Sequence, residues 1–222
     1  MAQRDSAPIK APKEFTLEFG AEMAEVPLDE IAPETFVEAV RLAAGSGEPW
    51  NARGVHLVGV LGVGLDLSGA QWGQARVRES AFQACSAVAL QGMDARLEQV
   101  EFEGSRVGVA DFSGAGWEQV VIRGGKTNEL NLRYSAIKDV RFSDTTFGTV
   151  DLAHARAERV SFIGCRIDEL VLHSADLAHV DLRGADIRRV VGVESLRGTV
   201  IDEYQLSALA PQFAEQLGIT VL

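Results

Sequence analysis

The chain has 222 residues, with 32 Asp and Glu against 21 Lys and Arg, and a formal net charge of −11. It holds no run of apolar residues long enough for a membrane helix and no charged-then-apolar leader, which predicts a soluble, cytoplasmic protein that engages no membrane. An acidic chain without a basic patch also excludes nucleic acid as a direct ligand.

In chain order, residues 1–13 read as a disordered tail. Residues 14–54 read as an N-terminal cap: Glu14-Phe15-Thr16-Leu17-Glu18-Phe19 alternates as a short strand. Pro33 then suits the first turn of a helix carrying Phe36, Val37, Val40, Leu42 and Ala43 at helical spacing, ended by Gly45-Ser46-Gly47.

From Leu57 to Ile187 every fifth position, those numbered in 2 or 7, takes a bulky apolar residue in 22 of 27 slots, the others being Gly62, Ala87, Gly92, Thr127 and Ala157. The candidate core stack is Leu67, Trp72, Phe82, Phe102, Phe112, Trp117, Phe142, Phe147, Leu152, Phe162, Leu172 and Leu182. Two residues before each slot stands a small or aliphatic one, such as Ala75, Val100, Val120, Val140 and Val160. A period of five fits neither a helix nor an ordinary strand, so residues 55–191 form an all-β repeat solenoid. Two inward positions flanking one outward residue make a very short strand. Pairs such as Ser68-Gly69, Ser113-Gly114 and Arg183-Gly184 supply the turns. Ala87 to Gly92 and Gly124-Gly125-Lys126-Thr127 keep register but lose volume, which predicts local distortion.

Residues 192–222 read as a C-terminal helical cap. Asp202 caps a helix from Glu203 to about Ala210, Pro211 breaks or restarts it, Gly218 stops it, and Ile219 to Leu222 form a closing strand. Tyr204, Leu206, Leu209, Phe213 and Leu217 exceed what one plug needs. They serve as a plug for the last coil or as a homodimer contact, and the surplus apolar surface leans toward the dimer.

The triplets Ala175-Asp176-Leu177, Val180-Asp181-Leu182 and Ala185-Asp186-Ile187 resemble the consensus of the pentapeptide repeat family, Ala-(Asp/Asn)-Leu-x-x, and the register extends the resemblance over residues 55–191. The resemblance implies a right-handed quadrilateral β-helix with α-helical N- and C-terminal caps and four five-residue faces per coil. The 27 units would then give just under seven coils, roughly 30 Å tall at the ~4.8 Å spacing of paired strands.

On that geometry Cys85 and Cys165, 80 residues apart in one inward column, lie four coils apart, roughly 19 Å, too far for a disulfide. They should be buried, reduced thiols. His154 and His173 share a face in neighbouring coils near Asp151, but spacing fixes no third ligand, so no metal or other cofactor is predicted. His56 and His179 are isolated. Asp176, Asp181 and Asp186 point from three different faces and cannot flank one glycosidic bond. The threonines Thr145, Thr146 and Thr149 cluster rather than ladder, and no phosphate loop or nucleophile motif occurs. These features predict no enzyme.

Two functions follow. The first is a rigid, non-enzymatic protein-interaction scaffold whose partner is another protein. The second comes from the resemblance: some pentapeptide repeat proteins mimic DNA, bind DNA gyrase or topoisomerase, and confer fluoroquinolone or toxin protection. Against it, the −11 divides into −5 over residues 1–54, −3 over 55–191 and −3 over 192–222, so the tower itself is close to neutral.

Overall fold

The computed structural model describes residues 9–221. The chain winds into a parallel β-solenoid of about nine turns. Through the body of the tower, paired residues stand twenty apart, as in the run Val77, Leu97, Trp117, Ile137, Ala157 and Leu177. Each coil adds one rung to a twelve-stranded sheet and, from Ala70 onward, one to a seven-stranded sheet.

The five-residue period has a backbone cause. Positions numbered in 4 or 9 repeatedly adopt left-handed φ, from Glu34 at 61° to His179 at 57°, in three of the four turns of a coil. That conformation costs a non-glycine residue about 1 kcal/mol. The amide at one of these turns is aimed at the coil above: Gln74 donates to Met93 O at 2.9 Å, Asp94 to Ser113 O at 3.0 Å and His154 to His173 O at 2.8 Å. Repeated pairing between coils holds the strained turns in place. Where the residue directly after an inward position numbered in 0 is Asp or Asn, its side chain closes the next turn, as Asp111 Oδ1 accepts from the Ser113 amide at 3.0 Å.

Inside, identical slots stack. Phe142 and Phe162 lie face to face at 4.6 Å between centroids and 13° between planes, Phe82 and Phe102 at 5.4 Å and 18°. Of the core stack, Leu67, Trp72, Phe82, Phe112, Trp117, Phe142, Phe147, Leu152, Phe162, Leu172 and Leu182 are buried, while Phe102 is half-buried. Gly92 is an empty large slot filled from the next coil: a Cβ there would lie 2.2 Å from the Phe112 ring. Around Gly125 and Thr127 volume is lost, leaving a cavity of about 40 Å³ bordered by Phe102, Ser105, Trp117 and Ile122. Small inward polar residues bond locally: Ser80 Oγ donates to Arg78 O at 2.5 Å and Thr145 Oγ1 to Ser143 O at 2.8 Å.

The N-terminal part differs from expectation. No helix forms from Pro33; Phe36–Glu38 and Val40–Ala43 are strands, and Val40–Ala43 pairs with both Ala24–Pro27 and Leu61–Val63. Val37, Val40 and Leu42 satisfy a helical period and the five-residue period alike. The open strand edge of the first coils decides for β by offering partners to every amide. The solenoid therefore starts near Ala24 rather than residue 55, and about nine turns at ~4.8 Å make it roughly 40 Å tall instead of 30 Å. Leu28, Ile31 and Trp50 close the lower end, with Trp50 Nε1 donating to Ile31 O at 3.2 Å.

Residues 14–19 pair with no strand, although their alternation survives as half-buried Phe15, Leu17 and Phe19 between exposed Thr16, Glu18 and Gly20. The expected tail falls partly on residues 1–8, outside the described residues; residues 9–13 lie against the tower, with Pro12 buried. At the other end Glu203–Gln216 is one helix running through Pro211. Asp202 and Gln205 cap it reciprocally, the Gln205 amide donating to Asp202 Oδ1 at 2.8 Å and the Asp202 amide to Gln205 Oε1 at 3.0 Å. Of the closing strand expected over Ile219 to Leu222, Ile219 to Val221 form no strand, the last coil being already paired by Thr199–Val200, and Leu222 lies outside the described residues.

Candidate interaction surface

What the tower offers to solvent follows from the twenty-residue coil: each outward side chain sits directly above the one twenty residues earlier. Along these columns unlike charges meet. Arg78 reaches Glu98 at 3.2 Å, Lys138 reaches Glu118 at 3.2 Å, Arg156 reaches Asp176 at 3.3 Å, Arg166 reaches Asp186 at 3.7 Å and Arg189 reaches Glu169 at 3.5 Å. Such exposed pairs add little stability each, about 0–1 kcal/mol. Their larger effect is on the field: acidic side chains are neutralised in place, so no unbroken acidic stripe climbs these columns.

One of them borders a depression of about 320 Å³ whose floor is Gly116 and Ala136 above Trp117 and Ile137, with Arg96, Glu98, Glu118, Lys138, Arg156 and Glu158 around it. Two small residues in successive coils create the concavity, and both charge signs line it. On another edge Tyr134, exposed, stacks on His154 at 4.8 Å and 2°, with the Arg133 guanidinium 6.0 Å from its ring centre.

The strongest polar contact is hidden. Asp139 is fully buried and holds Arg159 in a bidentate pair, 2.6 Å from Nε to Oδ1 and 2.9 Å from Nη2 to Oδ2. The Arg159 guanidinium, aided by the Lys13 amide, keeps the Asp139 carboxyl below the usual carboxylate range despite burial. Arg159 also contacts Glu158.

The residues singled out for chemistry are dispersed. His154 stacks on Tyr134 and His173 approaches Glu194 at 3.5 Å, and among the described residues no three His, Cys, Asp or Glu side chains converge. Asp176, Asp181 and Asp186 each face a separate arginine: Arg156, Arg183 and Arg166. Cys85 and Cys165 are buried free thiols; burial raises both, Cys165 to about 11. In the C-terminal helix Leu209 is buried and Phe213 half-buried against the tower, whereas Tyr204, Leu206 and Leu217 are exposed. Gln205, which the sequence pattern does not single out, is buried and donates to Ala185 O at 2.7 Å, tying the helix to the last coil.

The pentapeptide-repeat family model matches residues 158–191 in eight copies, within the same register that sets the coil. Residues 158–191 are pentapeptide repeats. Among solved structures, the chain is similar to HetL, a pentapeptide repeat protein involved in heterocyst differentiation regulation from the cyanobacterium Nostoc. The identity is 14%, over 83% of this chain and 92% of HetL, with a TM-score of 0.45. A trypsin-treated form of QnrB1, a plasmid-mediated fluoroquinolone resistance protein, matches at 12% identity over 90% of this chain and 100% of that one, with a TM-score of 0.36. No curated protein matches the sequence. Among the described residues no helix is long and apolar enough to cross a membrane.

Proposed function

We propose that the protein is a rigid, non-enzymatic scaffold that binds another protein through its outward columns, in the cytoplasm and without a cofactor. The tower is read as a right-handed quadrilateral β-helix. The observation that carries the proposal is the cross-pairing of acids and bases between coils, which leaves mixed-charge, shallowly concave faces suited to a complementary protein surface. A DNA-like partner surface would need unpaired carboxylates repeated along the tower, so the same pairing weighs against gyrase mimicry. The exposed Tyr204, Leu206 and Leu217 support a homodimer contact at the C-terminal end, with Leu209 and Phe213 as the plug.

The test is a photo-crosslinking residue in place of Glu118, on the rim of the depression, in cells making the protein. A discrete protein adduct that disappears when Lys138→Glu reverses the neighbouring charge supports the scaffold. Absence of a discrete adduct from this face and from a probe in place of Tyr134 contradicts it.

A further inference from the structure

One side of the tower is covered. Its outward column runs Leu61, Ala81, Glu101, Val121, Arg141 and Ser161, and of these Leu61, Ala81 and Ser161 are buried and the rest half-buried. The corresponding column on the other sheet holds no buried residue: Gln71 and Gln91 are exposed, and Asp111, Asn131, Asp151, Val171 and Val191 half-buried. The cover is residues 9–19. The Lys10 amide donates to His179 Nδ1 at 3.4 Å, the Lys13 amide to Asp139 Oδ1 at 3.0 Å, and Glu14 Oε1 meets Arg141 Nη2 at 3.1 Å. His179 and Asp139 are forty residues, two coils, apart, so three residues of the strap span about 10 Å, their fully extended reach. The segment runs along the tower axis, across the strands, with Pro12 buried and Phe15, Leu17 and Phe19 turned inward.

Two features make this strap removable. Residues 9–19 join no sheet, so their attachment is side chains and isolated amides, the kind of contact that opens at low cost. And the fit is incomplete: Glu14 engages Arg141 through Nη2 alone, while Arg141 Nε is buried with no hydrogen-bond partner among the described residues. A carboxylate reaching both nitrogens would form the stronger bidentate pair.

We infer that this face is a docking groove for an extended segment of a partner protein, with apolar side chains at alternate positions behind a carboxylate, and that residues 9–19 occupy the groove in cis as a displaceable strap. This rests on the scaffold reading and names where, and by what, the scaffold is engaged. The apolar outward residues Leu61, Ala81 and Val121 take the alternate side chains, Arg141 takes the carboxylate, and the buried Asp139–Arg159 pair holds the rigid end of the groove.

The test uses the full chain with a protease site inserted between Gly20 and Ala21, cut after folding, and a fluorescent peptide of residues 9–20 as the probe. The expected result is saturable binding of the peptide to the nicked protein and binding at least about ten-fold weaker to the uncut protein, where the tethered strap competes at high effective concentration. Arg141→Glu in the nicked protein should weaken binding by about ten-fold or more with unchanged circular dichroism, and a peptide with serine in place of Phe15, Leu17 and Phe19 should not bind. A nicked, folded protein that does not bind the peptide overturns the inference, as does a nicked protein that dimerises and thereby excludes the peptide. Either failure leaves the scaffold reading intact, because the crosslinking at Glu118 probes a different column with the strap in place.

Discussion

Phe142 is the most informative residue to perturb. It is fully buried, stacked on Phe162 at 4.6 Å and set edge-on to Phe147 at 5.6 Å and 86°, so its ring joins two coils and two sides of the core. Phe142→Ala should cost about 3–5 kcal/mol for lost burial and the cavity left behind. The two ring contacts place the cost toward the upper end, since an aromatic pair adds about 0.5–1.5 kcal/mol beyond its area. Phe142→Leu keeps most of the volume and should cost about 1.5 kcal/mol. The neighbouring Ile163 is 53% exposed, and Ile163→Ala should stay within about 0.5 kcal/mol. Urea unfolding followed by far-ultraviolet circular dichroism, at one pH for all four proteins, gives the comparison. A loss below about 1 kcal/mol for Phe142→Ala, indistinguishable from Ile163→Ala, would refute the inward stacking of the five-residue register.

Other outcomes follow from the same geometry. Thr127→Ile should fill the cavity of about 40 Å³ and raise stability by about 1 kcal/mol, at about 24 cal/mol per Å³, read as a higher urea midpoint. Asp139→Asn should destabilise by about 3 kcal/mol at neutral pH by leaving Arg159 without its buried partner. Because the folded Asp139 carboxyl lies below its unfolded value, its stabilisation is present above about pH 4 and lost as pH falls through the lowered folded value, so the wild type should weaken with acid more steeply than Asp139→Asn. Cys85 and Cys165 should resist a thiol reagent in the native protein and react only after denaturation.

The inward columns were legible in the sequence because a buried slot tolerates few residue types: Val77, Leu97, Trp117 and Ile137 pair coil to coil as their spacing requires. The first coils were not, since Val37, Val40 and Leu42 are too few to tell a period of five from a helical one. The covered face was readable only in retrospect. Leu61, Ala81 and Val121 are apolar in the outward slot where the other sheet carries Gln71, Gln91 and Asn131 in the same coils, but Val171 and Val191 of that sheet are apolar too, so the pattern alone names no covered face. Nothing in the local pattern of Lys13 or Glu14 says that either reaches Asp139 or Arg141, more than a hundred residues away. Gln205 is opaque for a similar reason: its amide serves the carbonyl ends of a coil that only the wound tower brings beside the helix.

The scaffold reading meets its most direct test in gyrase supercoiling of relaxed plasmid DNA, titrated with the purified protein in the presence and absence of a fluoroquinolone. Columns in which acids are cross-paired with bases predict no inhibition and no protection against drug-stabilised cleavage up to tens of micromolar. Inhibition or protection at micromolar protein or below would contradict that reading and make the acidic residues, paired or not, a working imitation of DNA.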